Sequence, residues 1–175
     1  MSDIVKRVQE LLKLPQSLCN TCGKCCKMVN FKGGLSYEEV KNLSQSLEED
    51  ETQVEGARDF LSIFQPYESI EAAREYSNEF VEKVLARFPD KKEIGFFHCR
   101  YVGKNNLCLI HEDRPLLCRM YPIPHERTEY HAGCGFEEQG RKNWQEIKAI
   151  LADLEKQREQ LKKDLNQKKN SLDNK

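Results

Sequence analysis

Eight cysteines are the residues of this chain best suited to chemistry. Four of them, Cys19, Cys22, Cys25 and Cys26, fall in the octet CNTCGKCC, and the others are Cys99, Cys108, Cys118 and Cys134. Thiols at this density hold a metal, form disulfides or run redox chemistry. A cysteine-only zinc site takes four thiolates, and so does an iron–sulfur cluster. Eight is therefore the count for two full sites, with no thiol to spare.

The spacing Cys19-x2-Cys22-x2-Cys25 is the one that opens a bacterial ferredoxin motif. Two-residue gaps let successive sulfurs point inward, and Gly23 permits the positive φ that such a tight loop demands. Cys26 departs from that motif by following at once. Adjacent side chains diverge, so Cys26 is the candidate to ligate a different centre. The two groups of four then are not two sites: they are shared between sites or surround one composite centre. Zinc needs only the thiolates and often uses Cys-x2-Cys; the third cysteine after a second x2 gap tilts the reading slightly toward iron–sulfur. The bland alternative is that some of these are buried cysteines packing as small hydrophobes. His98 neighbours Cys99 but should face the other way on a strand. His111, His125 and His131 are secondary ligand candidates, set against ordinary surface or hydrogen-bonding roles. Four thiolates on a divalent ion carry net negative charge, and Lys24, Lys27, Arg100, Arg114 and Arg119 all lie within four residues of a cysteine.

The elements that must position these residues are mostly helical. Ile4 to Leu14 has an apolar face of Ile4, Val5, Val8, Leu11 and Leu12, stopped by Pro15. Ser36 and Glu39 form a capping-box pattern with Leu35 and Val40 as a hydrophobic staple, predicting a helix through about Leu47. The acidic run Glu48 to Glu51 reads as a solvated loop. Helices follow from about Thr52 to Phe64 and from Ser69 to Phe88, the latter facing a core with Ile70, Ala73, Phe80, Val84 and Phe88. GFFHCRYVGKNNLCLIH then alternates, predicting a β-hairpin with a Gly103–Asn106 loop and with Cys99 and Cys108 on opposite strands. Asp113 can cap a short helix carrying Cys118, with Pro115 in its first turn and Pro122 after it. Cys134 sits in a Gly-flanked loop. Ligands scattered in this way need a long-range partner, and the N-terminal cluster supplies it.

With these residues in hand, CNTCGKCC, CRYVGKNNLC, HEDRPLLCRMYP and GCGF resemble the YkgJ-type cysteine-cluster family, a zinc- or iron-chelating domain with the pattern CxxCxxCC. The likeness spans Cys19 to Phe136. Its most specific part pairs that pattern with RPxxCRxYP, matched by Arg114, Pro115, Cys118, Arg119, Tyr121 and Pro122. The resemblance implies that all eight cysteines belong to the metal-binding set. A related cluster occurs in flagellin lysine-N-methylases, but this chain has no Gly-rich strand–loop–helix for a methyl donor, so that activity is not carried over.

Composition bounds the rest. A formal net charge of −1 argues against a general nucleic-acid binder. No apolar run is long enough for a transmembrane helix, and the N-terminus lacks the unbroken apolar core of a signal peptide. The expected location is cytoplasmic, where reduced thiols favour metal ligation; four disulfides in a protein exported by an unusual route is the alternative. From Trp144, apolar residues recur at steps of 3 and 4 once Arg158 and Lys168 are counted in the seam, which predicts a heptad helix over about 142–170. The expected organisation is a cysteine-cluster domain, 1–141, and an amphipathic helix, 142–175, that could form a coiled coil with a protein partner or a second copy. The fold class is α+β, helix-rich, with a β-hairpin, an irregular metal-organised cysteine region and a protruding C-terminal helix. No Ser/His/Asp or paired-carboxylate set is readable. The function expected is metal binding through zinc or an iron–sulfur centre as a binding or adaptor module; the alternative is an iron–sulfur redox protein or enzyme accessory subunit.

Overall fold

A computed structural model describes residues 3–126, 128–131 and 133–173, with side chains described as far as 167. The fold is α+β and helix-rich, as expected. It divides into two compact units, Asn20–Arg119 and Met1–Cys19 with Met120–Lys175.

The Asn20–Arg119 unit begins with a four-residue helix, α2 (Lys24–Lys27), and continues through α3 (Tyr37–Gln45), α4 (Glu51–Ile63), β1 (Phe64–Pro66), α5 (Ile70–Arg87) and β2 (Phe97–Cys99) to α6 (Leu116–Met120). The start of α3 follows from its first residues. The Ser36 hydroxyl accepts from the Glu39 amide at 3.3 Å, and the Glu39 carboxylate accepts from the Ser36 amide at 2.7 Å. This reciprocal pair satisfies two of the donors a helix start leaves open. In α4 the Asp50 carboxylate caps the Thr52 amide at 3.0 Å, so the acidic loop ends in a capping residue.

Helix α5 corrects the expectation of one continuous helix. Ser77 is non-helical, with φ −155° and ψ 84°. Serine competes for helical backbone bonds with its own hydroxyl, and Asn78 beside it is also a poor helix former. The break brings Arg74 within 3.0 Å of Glu82, a pair eight residues apart that a straight helix would hold about 12 Å apart along its axis. Val81 is buried beside Ala73 and Val84.

The sheet differs from expectation in its pairing. β2 pairs antiparallel with β1, Phe64 opposite Cys99 and Pro66 opposite Phe97, across the intervening helix α5. The predicted hairpin shrinks to one bridge between Val102 and Cys108, with backbone bonds from Gly103 to Leu107 and from Leu109 to Tyr101. The alternation in the sequence is real, but β1 and the Val29 bridge take up the edges of β2 that a longer hairpin would have used. Behind this sheet Phe60 packs edge-on to Phe31 and Phe97 and tilted onto Phe64, with ring centroids 4.7–5.0 Å apart. Phe97 is fully buried.

The other unit holds α1 (Asp3–Leu11) and α7 (Glu137–Asp173). Leu11 and Leu14 are buried, whereas Ile4 and Val5 remain exposed, so only the C-terminal end of the α1 apolar face is used. Ile147 is buried. The buried Asn143 donates to the Leu11 carbonyl at 2.8 Å, and Arg7 pairs with Glu146 at 2.6 Å. These contacts dock the first turns of α7 on α1. The helix starts five residues before the predicted Lys142.

Candidate metal centre

The backbone register decides which thiols meet. Val29 and Phe97 exchange both hydrogen bonds of an antiparallel bridge, at 3.0 and 2.9 Å. Cys26 lies three residues before Val29 and Cys99 two residues after Phe97, so both fall at the same end of that pairing. The chain then turns, and the Val102–Cys108 bridge returns Cys108 beside it. Cys118 follows on α6, its amide bonded to the Pro115 carbonyl at 3.0 Å. Cys26 and Cys118 pack against the same apolar core that holds Cys99.

All eight cysteines carry thiols. Cys26, Cys99 and Cys118 have shifted thiols, and Cys108 contributes to two of those shifts. Burial, then the nearby Cys99, Cys26 and Cys108, pushes the Cys118 thiol up to about 11, against the opposing charge of Arg114. Cys99 is also raised, by burial and then by Cys26 and Cys108, while amide donors from Tyr101 and Val102 oppose the shift. The Tyr101 amide lies 3.3 Å from the Cys99 sulfur. Cys26 moves the other way, down to about 7. A hydrogen bond from Cys25 is the largest cause, opposed by burial and assisted by Arg114 and Lys27. Tyr76 is raised by burial and then by Cys22, Cys25 and Cys26.

Cys26 and Cys118 thus pack on the core that holds Cys99, with Cys108 across a backbone bridge from Val102, while Cys22, Cys25 and Cys26 all act on Tyr76. Cys26 acts on Cys99, Cys118 and Tyr76 alike. Cys19 and Cys134 belong to the other unit: the Cys19 amide closes a 3₁₀ turn on Gln16, and the Cys134 amide bonds the His131 carbonyl after Gly133 at φ 76°. Among the described residues, no group of three or more His, Cys, Asp or Glu side chains is arranged to hold a metal ion. The donor chemistry of the four clustered thiols nevertheless fits zinc or an iron–sulfur cluster, both of which take four thiolates. Backbone amides aimed at sulfur and a nearby arginine are the surroundings such a charge requires.

The loop bearing Cys22 to Cys26 is held by a second feature. Gly23 has φ 68° and its carbonyl receives the amides of Cys26 and Lys27. A Cβ on Gly23 would stand 2.7 Å from the Cβ of Asn106. Lys27 Nζ donates to the Asn106 side-chain oxygen, and Asn106 itself has φ 67°. The cysteine loop and the loop before Cys108 are therefore keyed together.

Of the other sequence candidates, Arg114 and Lys27 lie close enough to favour the Cys26 thiolate. Arg119 instead braces the Arg114 carbonyl at 2.6 Å, and Arg100 reaches the Leu61 carbonyl. His98 is bonded to Gln65 at 3.2 Å, and its ring lies tilted against Tyr67 with centroids 5.0 Å apart. His125 stacks on Trp144, and His111 meets the Arg114 guanidinium at 3.3 Å. Sequence reasoning missed Tyr76 and Asn106. The Asn-Asn pair after Gly103-Lys104 was the available signal for the second, since asparagine tolerates a left-handed backbone. A cleft of about 460 Å³ lies beside β1, lined by Gln65, Tyr67, Glu68 and His98. Its polar groups mostly bond each other or, for the Tyr67 hydroxyl, the Lys27 carbonyl.

The CxxCxxCC family, described as "putative zinc- or iron-chelating domain", matches residues 18–135. The chain belongs to this family. No curated protein and no solved structure matches it significantly. The match covers all eight cysteines and both keyed loops of this CxxCxxCC domain. No helix among the described residues is long and apolar enough to cross a membrane.

Proposed function

We propose that this CxxCxxCC protein is a cytoplasmic metal-binding module, in which Cys26, Cys99, Cys108 and Cys118 hold one centre within the Asn20–Arg119 unit. What supports this reading is that Cys26 and Cys118 pack on the core that holds Cys99, with Cys108 one backbone bridge away, inside a domain of the chelating family. A four-thiolate set has no open position for substrate, which suits a structural or stored metal better than catalysis. The ion would clasp α2, the β2 turn and α6, tying the ends of a 73-residue span between Cys26 and Cys99.

A second reading, an iron–sulfur redox or accessory protein, is favoured by the Cys19-x2-Cys22-x2-Cys25 spacing. Purification without oxygen, with absorption spectra and analysis for iron, sulfide and zinc, separates the two. A brown protein with iron and sulfide supports the cluster, and a colourless zinc protein supports the structural module. Protein that takes up neither refutes both. Cys26→Ser should abolish the centre that Cys22→Ser leaves in place. Equal loss in both variants would argue for a single composite site.

A further inference from the structure

From Leu151 onward, every described side chain of α7 is exposed, yet its leucines fall in line. Leu151, Leu154, Leu161 and Leu165 are 45%, 37%, 62% and 64% exposed. With Arg158 they lie within an arc of roughly 80° at 100° per residue. Their steps of 3 and 4 are the a and d positions of a heptad, with Glu155 and Lys162 at e and Gln157 and Asp164 at g. Such a stripe on an otherwise charged helix calls for another helix.

The flanking charges identify the partner and its direction. In a parallel pair of identical helices Arg158 would face Arg158 of the second copy, two like charges in the seam. Glu155 would face Ile150, and Lys162 would face Gln157. Reversing one helix removes each conflict. With Arg158 set opposite Leu161 of the second copy, Leu154 meets its Leu165, and the Arg158 stem covers leucine while its head reaches water. Glu155 then meets Lys162 of the second copy, and two-fold symmetry makes that pair twice. Gln157 falls beside Asp164 at the opposite margin, an amide–carboxylate hydrogen bond. The surface is self-complementary only when antiparallel.

We infer that α7 pairs two copies of this chain as an antiparallel two-helix coil through Leu154, Arg158, Leu161 and Leu165, with reciprocal Glu155–Lys162 pairs. The pairing is independent of the metal reading, since none of these residues lies near the thiols in sequence. About two heptads of seam give a reversible dimer, with a Kd on the order of 1 μM to 1 mM.

The test is a charge exchange in the full-length protein, read by sedimentation equilibrium and light scattering. Glu155→Lys places lysine against lysine, and Lys162→Glu places glutamate against glutamate, so each variant alone should dimerise about tenfold more weakly or worse. An equimolar mixture restores both opposite-charge pairs and should dimerise as the unaltered protein does, with one copy of each. Both sites are exposed, and metal content measured alongside shows that the fold is intact. Unaltered protein that stays monomeric to about 1 mM overturns the proposal, as does a mixture no better than its components. Variants that dimerise as well as the original would show that another surface is used.

Discussion

Replacing Gly23 by alanine tests the keyed loops directly. The cost has two parts. A non-glycine residue at φ 68° costs about 1–2 kcal/mol. The new methyl would also stand 2.7 Å from the Asn106 Cβ, well inside contact distance, and such overpacking costs about 1–3 kcal/mol. Gly33 supplies the control, because it has φ 78° but nothing within 4 Å of its Cβ position. Gly33→Ala should therefore lose only the backbone part, about 1–2 kcal/mol. Asn106→Gly removes the obstructing Cβ and suits its own positive φ, at the cost of the Lys27 hydrogen bond. The Gly23→Ala/Asn106→Gly double variant should then recover most of the clash. The assays are chemical denaturation of the metal-free chain and competition with a chelator for zinc. Where loop displacement relieves the clash in the metal-free state, the cost reappears as about 5- to 100-fold weaker metal binding, at 1.4 kcal/mol per tenfold. Equal behaviour of Gly23→Ala and Gly33→Ala in both assays would refute the keying argument.

Three further outcomes follow from the same geometry. The metal-free, reduced protein should gain stability from pH 7 to pH 9 and lose it from pH 9 to pH 11. The depressed Cys26 favours the fold above the unfolded thiol value and loses that contribution as pH falls through about 7, whereas Cys118, raised to about 11, loses its own as pH climbs toward that value; denaturation midpoints across this range check the sign on each side. In the same metal-free state Cys26 should be the first thiol alkylated at pH 7.5, because about half or more of it is thiolate there. Peptide mapping after brief iodoacetamide treatment reads the order, and metal should abolish it. Asn143→Ala strips a buried donor from the Leu11 carbonyl and should cost about 1–3 kcal/mol, read as faster amide exchange over 3–12.

What the sequence made legible was local. The Ser36–Glu39 box and the acidic loop before α4 depend on residues within four positions of one another, and their chemistry names them; α6 instead begins after Pro115, not with a first turn capped by Asp113 that holds the proline. Cys25 and Cys26, expected to diverge as neighbours, instead have side chains hydrogen-bonded to each other. The pairing of β2 was not legible: Phe64–Pro66 is a three-residue strand ending in proline, too short to announce itself, and it competes with a nearer segment for the same edge. The break at Ser77 was hidden inside a strong apolar periodicity. The grouping of Cys26 with Cys99, Cys108 and Cys118 needed the Val29–Phe97 bridge, a contact 68 residues long in sequence.

The distance along the chain between Cys26 and Cys99 also sets a schedule for synthesis. At about 5–20 residues per second, roughly 4–15 s separate the emergence of the two thiols. During that interval Cys22, Cys25 and Cys26 have none of their C-terminal companions, and the residues that shelter Cys26 in the finished core are still being made. A nascent chain in this state is open to oxidants and to stray soft ions.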